Sequence, residues 1–461
     1  MKKFFVLLMS AILSLGTLTF GACGNKGGKK EITYYMWGSQ EEIATAEQLA
    51  EDFELLYPEY HVKVQPSNGD YYDNLMTYFG GGNEPDIFMM EGGMIEFYIK
   101  DGLLLPLDEY LNKGERLTKN DLWELNDNYR YNEETNRMGS GTLYAIIKDL
   151  TPDFMMIYNK KHIDKYNEDN AVSLAEEVGY PTDATGIYPS DTIPMTWAQC
   201  TKMCRLLTKF DSNGNITRYG TTLDQVPWKH VMEWIQMGGD TLFTEDMKHL
   251  NVNSQAVKDA FQYFINFQHG DTKSAATVAS GSVGGGEGFK NGDISVVWNG
   301  RWAFQSYDWY NVNFDIGIAP PPTPNGGEDI YCATAMIAHS ISATSKHPEV
   351  AYKFLEYYMT TGMKAYVQTG YNIPGNKTIA YSDFLNVADA YQKQLNNYFV
   401  NYIEKASPFT FNFYIDQSRV EEILGDYIPR VWADKDSLSL TAALNAAASE
   451  INTVISRELA K

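Results

Sequence analysis

The chain has 461 residues, 44% of them hydrophobic and 14% aromatic, with a formal charge of −22. That length exceeds what one core accommodates and points to two domains of ordinary size. The negative field excludes nucleic acid and phosphate-rich partners, which it would repel, and the 32 Tyr residues suit surfaces that hold amphipathic ligands, each offering a flat apolar ring and a hydroxyl.

The chain opens Met1-Lys2-Lys3, continues with an almost wholly apolar run from Phe4 to Thr19, and closes that run with Phe20-Gly21-Ala22-Cys23. A basic start, an apolar run short for a bilayer span and small residues before a cut site specify export and removal. The segment resembles a bacterial lipoprotein signal. It implies cleavage before Cys23, a diacylglyceryl anchor on its thiol, and a working part on the outer face of the cell membrane. Loss of Lys2 and Lys3 makes the charge −24. Gly24 to Lys30 is too polar and glycine-rich to pack and is expected to be a flexible tether. No later apolar run reaches the length of a span, so the acyl anchor is the only membrane attachment expected. Of the cysteines, Cys200, Cys204 and Cys332 then remain, an odd number that specifies no disulfide framework. Cys200 and Cys204, one helical turn apart, are expected in a core and not on a metal, since further ligands are missing nearby.

Ile32 to Met36 is rich in β-formers, and Trp37-Gly38-Ser39 follows as a turn. From Glu41 to Tyr57, apolar residues at Ile43, Ala46, Ala50, Phe53 and Tyr57 make one helical stripe that Pro58 ends. Val62 to Gln65 reads as strand, Tyr72 to Phe79 as helix, Asp86 to Met90 as a buried strand ending at Glu91-Gly92-Gly93, and Met94 to Lys100 as helix. Strands alternating with helices specify a mainly parallel sheet covered on both faces, in which ligands bind beyond the carboxyl ends of the strands. The turns at Trp37 and Glu91 should therefore face one cleft. Further on, Thr196 is an N-cap for a helix over Trp197 to Leu207. A helix over Asn253 to Phe267 precedes a strand over Ile294 to Trp298. Ala335 to Ile341 reads as strand and Pro348 to Met359 as helix.

Asp211, Asn213 and Asn215 have the spacing of the first half of a calcium loop, but Thr222 stands where the closing carboxylate belongs. A simple Asx turn is expected, and no metal or cofactor.

Taken together, YYMWGS, NEPDIFMMEGG, KDGLLLPLDEYL, MMIYNKKHID, PMTWAQCTKMCRLLTKFDSNGNITRYG, FKNGDISVVWNGRW, FDIGIAPPP, SISATSKHPEVAYKFLEYYMTTG and GYNIPGNK resemble the maltose-binding-like bacterial extracellular solute-binding proteins of sugar ABC importers. The resemblance implies a type II periplasmic-binding fold of two α/β lobes with a hinge and an interlobe cleft. The expected first lobe comprises 31–150 and 333–372, the second 151–332 and 373–461, with crossings near Asp149, Cys332 and Gly370. It also implies an oligosaccharide ligand, delivery to permease subunits in the membrane, and a monomer that closes by hinge motion.

A pyranose has apolar C–H faces and a rim of hydroxyls, so its site needs aromatic surfaces and fixed polar groups. The resemblance implies that Trp302, after Gly300-Arg301, stacks on sugar and that Trp228 presents an aromatic from the second lobe. Trp37 is a third candidate. Trp298 is expected in the core and Trp197 as a packing residue at a helix start. Glu91, Gln40 and Glu41 are the expected polar contacts, since a charged acceptor bonds a hydroxyl strongly, and Asp153 is placed to reach the same space. Arg301 is expected to bond either sugar or a carboxylate of the other lobe. Among Phe409, Phe411, Phe413 and Tyr414 one ring is expected to line the cleft, with Tyr414 the candidate retained. A non-sugar solute such as an amine or peptide is the alternative ligand. A secreted glycoside hydrolase using Glu91 and Asp153 is the alternative from another class, but no hydrolase motif accompanies those residues.

Overall fold

In the computed structural model of the protein, residues 29–223, 227–269, 285–327, 332–403, 405–408, 412, 414–415, 417–433 and 437–460 are described. Cys23, Phe409, Phe411 and Phe413 lie outside them.

The first part alternates strand and helix as its periodicity requires. Strand β1 (Lys30–Met36) leads to helix α1 (Gln40–Leu56), β2 (Tyr60–Pro66), α2 (Tyr71–Gly81), β3 (Ile87–Glu91) and α3 (Ile95–Lys100). Strand β1 begins one residue inside the expected tether, and Lys29 already pairs with Glu54 at 2.8 Å. Ser39 starts α1 through a capping box. Its hydroxyl accepts the Glu42 N–H at 3.3 Å, while the Glu42 carboxylate accepts the Ser39 N–H at 3.0 Å, so two otherwise orphaned donors are satisfied together. Helix α4 (Asp108–Lys113) and a small antiparallel sheet of β4 (Arg130–Asn132), β5 (Arg137–Met138) and β6 (Thr142–Leu143) follow. Next comes β7 (Ala145–Pro152), buried along its whole length.

Only Asp153 and Phe154 separate β7 from β8 (Met155–Asn159), which belongs to a different sheet. That second part adds α5 (Lys160–Asp169), α6 (Leu174–Val178), α7 (Trp197–Leu207), β9 (Lys209–Phe210), β10 (Ile216–Thr221), α8 (Pro227–Met237), α9 (Gln255–His269), α10 (Gly285–Asn291), β11 (Ile294–Asn299), α11 (Ala303–Ser306) and β12 (Ile316–Ala319). Its strand order is β12-β8-β11-β10-β9. Thr196 caps α7 as its sequence position requires. Between β9 and β10 the Asp211 carboxylate accepts the N–H groups of Asn213 and Asn215, both at 2.8 Å; this is the expected Asx turn.

Strand β13 (Cys332–Ile341) returns to the first sheet and inserts between β7 and β3. After it come α12 (Pro348–Tyr357), α13 (Met363–Tyr366), β14 (Ile373–Pro374), α14 (Lys377–Tyr381), α15 (Ala390–Ile403), β15 (Ala406–Pro408), α16 (Gln417–Tyr427) and α17 (Leu440–Leu459). The first sheet runs β14-β7-β13-β3-β1-β2, with β15 on β13.

Two features differ from expectation. The sheets are mixed: β1 pairs in parallel with β2 and β3, but β13 is antiparallel to β3 and β7, and β8 is antiparallel to β11 and β12. A chain that crosses into a second lobe and returns enters each sheet from the opposite end, which reverses strand direction. The third crossing also lies beyond Gly370. Ile373 and Pro374 pair with Leu150 and Asp149 of β7, and Lys377 and Thr378 bond Glu124 and Asp121, so this stretch belongs with the first sheet. Helices α16 and α17 contribute Val420, Ile423, Leu444 and Ile451 to the core of the second.

Candidate functional site

The first wall is made at the carboxyl ends of β1 and β3. Trp37 directly follows β1, and Gln40 and Glu41, both exposed, occupy the first turn of α1. Glu91 is the last residue of β3 and half-buried. The start of α2 joins these elements. Tyr71 meets the edge of Trp37 at 4.4 Å between ring centroids, and its hydroxyl donates to the Met89 carbonyl at 2.8 Å. Tyr72 lies 6.3 Å from Trp37, and its hydroxyl oxygen accepts the Glu91 N–H at 2.9 Å. Burial pushes the Tyr72 hydroxyl well above its ordinary range, reinforced by the Glu91 charge. It therefore stays a neutral donor and acceptor. The spacing of Tyr72 predicts only a helix; its place in the wall is signalled by the Tyr71-Tyr72 pair opening that helix beside an expected cleft.

The second wall stands at the turn after β11. Trp302 is half-buried, and its indole N–H donates to Asp153 at 3.3 Å. Tyr307 lies 6.0 Å from it. Asp153 thus lies between β7 and β8 and holds the indole. Gly300 is demanded by this closeness, since a Cβ there would sit 2.7 Å from Thr151 Cγ2, 2.9 Å from Asp153 Oδ1 and 2.9 Å from Trp302 Cδ1. The two walls touch where the Gln305 amide donates to Glu41, joining α11 to the first turn of α1. A second bridge is the Lys100 ammonium, 5.3 Å from the centroid of the Tyr414 ring. Tyr414 thereby meets α3 of the first wall, while its neighbours pack into the second core.

Two expected residues stand elsewhere. Trp228 is in α8, only 8% exposed, against Phe261 at 6.3 Å and Phe264 at 5.5 Å; a tryptophan on the apolar side of a helix is drawn into the core. Arg301 is 0% exposed. Its guanidinium donates twice to the Asn396 side-chain oxygen, at 2.9 and 3.1 Å, and lies over the rings of Tyr310 and Phe304. It has no carboxylate partner among the described residues, so of the two expected partners, sugar or a carboxylate of the other lobe, the second is replaced by the Asn396 amide. Trp298 is core, with its N–H on Thr221 at 3.0 Å, and Trp197 stacks on Tyr263 at 4.5 Å.

The crossover behind the walls is tightly built. The Asp153 N–H donates to the Ala333 carbonyl at 2.7 Å, so the outgoing and returning strands bond each other. Phe154 adopts a left-handed φ of 54°, unusual outside glycine, and the His230 ring covers it at 3.9 Å. Glu233, buried beneath, accepts the Ala333 N–H at 3.2 Å. Burial holds its carboxyl well above the ordinary range, and the Asp153 charge adds to that. Among the described residues no group of three or more His, Cys, Asp or Glu is arranged to hold a metal ion, and no helix is long and apolar enough to cross a membrane.

A family model described as bacterial extracellular solute-binding protein matches residues 37–365. Among solved structures, the chain resembles an ABC substrate-binding protein from Listeria monocytogenes in complex with cycloalternan, at 20% identity and a TM-score of 0.73 over 93% of this chain and 99% of that one. A solute-binding protein from Thermotoga lettingae bound with α-D-tagatose gives 18% identity and a TM-score of 0.71 over 93% and 100%. The maltose/maltodextrin-binding domain from Bdellovibrio bacteriovorus bound to maltotriose gives 19% and 0.68 over 94% and 100%. No curated protein matches significantly. At these identities the structural likeness establishes the fold.

Proposed function

The chain belongs to the bacterial extracellular solute-binding protein family, and from that premise we propose that it captures an oligosaccharide between its lobes and delivers it to the permease of an ABC importer. The observation that carries this reading is the pair of half-buried indoles at opposing strand ends. Trp37 is braced by Tyr71 and Tyr72, Trp302 is held by Asp153, and the two walls are bridged by Glu41 and Gln305. Two fixed ring faces with carboxylates at their margins match the apolar faces and hydroxyl rim of a sugar. Trp37 and Trp302 stack on the ligand; Glu91, Gln40 and Glu41 accept and donate at its rim; Tyr72 sets the Glu91 backbone. The ligand leaves unchanged. The protein works as a monomer outside the cytoplasm, tethered through diacylglyceryl-Cys23, and needs no cofactor.

The test is a thermal-shift screen of the chain from Gly24 onward against cycloalternan, maltotriose, mannotriose, tagatose, amines and short peptides, because a ligand that binds only the native state raises Tm. A rise with one oligosaccharide, recovered intact, supports the proposal. A rise confined to amines or peptides overturns the carbohydrate assignment.

A further inference from the structure

Behind the first wall, beneath Glu41, lies a cluster of charges that no ligand contact uses. The Lys148 ammonium, 1% exposed, donates to Asp149 at 2.6 Å and to Glu42 at 3.3 Å, and these carboxylates are 1% and 4% exposed. The ammonium also sits 4.8 Å from the Tyr366 ring centroid. Asp149 in turn accepts the Tyr366 hydroxyl and the Asn372 amide, both at 2.9 Å. Burial alone would lower the Lys148 ammonium, but the charge of Asp149, with that of Glu42, outweighs it and pushes the group well above its ordinary range.

The cluster joins three pieces of backbone, and each borders the second lobe. Glu42 adjoins Glu41, which takes the Gln305 bond. Lys148 and Asp149 lie in the strand that becomes the crossover. Tyr366 and Asn372 flank Gly370, whose carbonyl accepts the Tyr310 hydroxyl at 3.1 Å. The cluster holds two carboxylates against one ammonium, an arrangement poorly suited to stability alone, for which a neutral or apolar set serves better. We propose that the Lys148–Glu42 bond is a positioning device: it fixes the first turn of α1, and with it Trp37, Gln40 and Glu41, against the strand leading to the crossover. This role rests on the cleft assignment above, but its mechanical part does not depend on the ligand being a sugar.

Glu42→Gln separates positioning from stability. The Ser39 N–H and the Lys148 ammonium sit on different oxygens of the Glu42 carboxylate, so the substitution turns an NH2 donor toward one of these two donors and breaks that bond. It also removes the surplus buried charge, which favours folding. Ser39→Ala is the control, because it loses the hydroxyl cap and keeps the Lys148 bond. The experiment measures Tm, amide hydrogen exchange at residues 39–45 without ligand, and affinity for maltotriose and cycloalternan. For Glu42→Gln we expect an unchanged or raised Tm, at least tenfold faster exchange in the first turn of α1, and at least tenfold weaker binding of whichever sugar the wild type takes up. Ser39→Ala should lower Tm and keep the affinity. Lys148→Gln, which empties the other end of the bond, should reproduce the exchange and affinity losses. Unchanged exchange in either folded variant, or equal affinity losses in Glu42→Gln and Ser39→Ala, overturns the proposal. If neither sugar binds wild type, the exchange arm still decides the positioning role, and the ligand screen alone decides the carbohydrate assignment.

Discussion

Trp302 shows how much one side chain is asked to do. Its indole is oriented by a single acceptor, Asp153, so Trp302→Ala is expected to weaken ligand binding ten- to a hundredfold, about what a lost stacked ring and its burial contribute. Calorimetric titration reads it; an unchanged Kd in a folded variant removes Trp302 from the site. Trp228→Phe should leave Kd within twofold, since that ring packs in the second core. Buried histidines give the residue-scale pH response. Burial pushes His162 and His230 down to about 3. Between their ordinary value of 6.5 and that value the unfolded chain takes up protons that the native imidazoles refuse. Stability therefore falls as pH drops below 6.5, by about 1.4 kcal/mol per pH unit for each histidine. Glu96, raised by burial to about 7, acts in the opposite sense, its contribution falling as pH rises from 4.5 to 7. The difference between wild type and His230→Phe isolates one imidazole: urea midpoints at pH 7 and pH 5 should lie closer together in the variant. Neither His230 ring nitrogen has a hydrogen-bond partner among the described residues, so losing them costs no bond. An identical spacing in both proteins defeats the assignment.

At the scale of elements, the turn after β11 works only without a side chain at Gly300. Gly300→Ala would drive a methyl into Thr151, Asp153 and the Trp302 ring, so it is expected to lower both Tm and affinity. Restoring room with Thr151→Ser should recover part of each, and a double-mutant cycle measures that coupling. Local order was readable in the sequence where a single element decides it. The α1 stripe, the Thr196 cap, the Asx turn at Asp211 and the strand ends at Trp37 and Glu91 all follow from short-range patterns. What the residues alone did not carry was pairing. The antiparallel insertion of β13 between β7 and β3, and the place of β14 on β7, depend on partners far away in the chain. The same limit explains Trp228 and Arg301: each follows or adjoins a turn motif, but helix α8 and Asn396 of α15 decide where the side chains end. Tyr72 is the converse, a residue whose spacing said helix and whose hydroxyl turns out to hold a neighbouring strand end.

For the whole molecule, closure is the quantity to follow. The bridges from Glu41 to Gln305 and from Lys100 to Tyr414 join the lobes through protein side chains alone. Gln305→Ala is therefore expected to increase the radius of gyration of ligand-free protein in small-angle scattering and to weaken binding several-fold, with saturating ligand restoring the compact form. Identical scattering profiles before ligand would show that this bridge does not bias closure. The strand order has a further consequence for biogenesis. A chain threaded outward from its amino terminus would release β1, β2 and β3 early, but their neighbour β13 is encoded only at Cys332–Ile341 and β14 later still. The second sheet needs nothing beyond Ala319. The sheet that is begun first would then be the sheet closed last, its strands waiting with an open edge of the kind that misfolds or aggregates, while the second sheet pairs early and waits only for its helical cover from α16 and α17. A leader that delays collapse, or a chaperone at the exit that covers that edge, would matter more to the yield of this protein than to one whose sheets close in the order they are made.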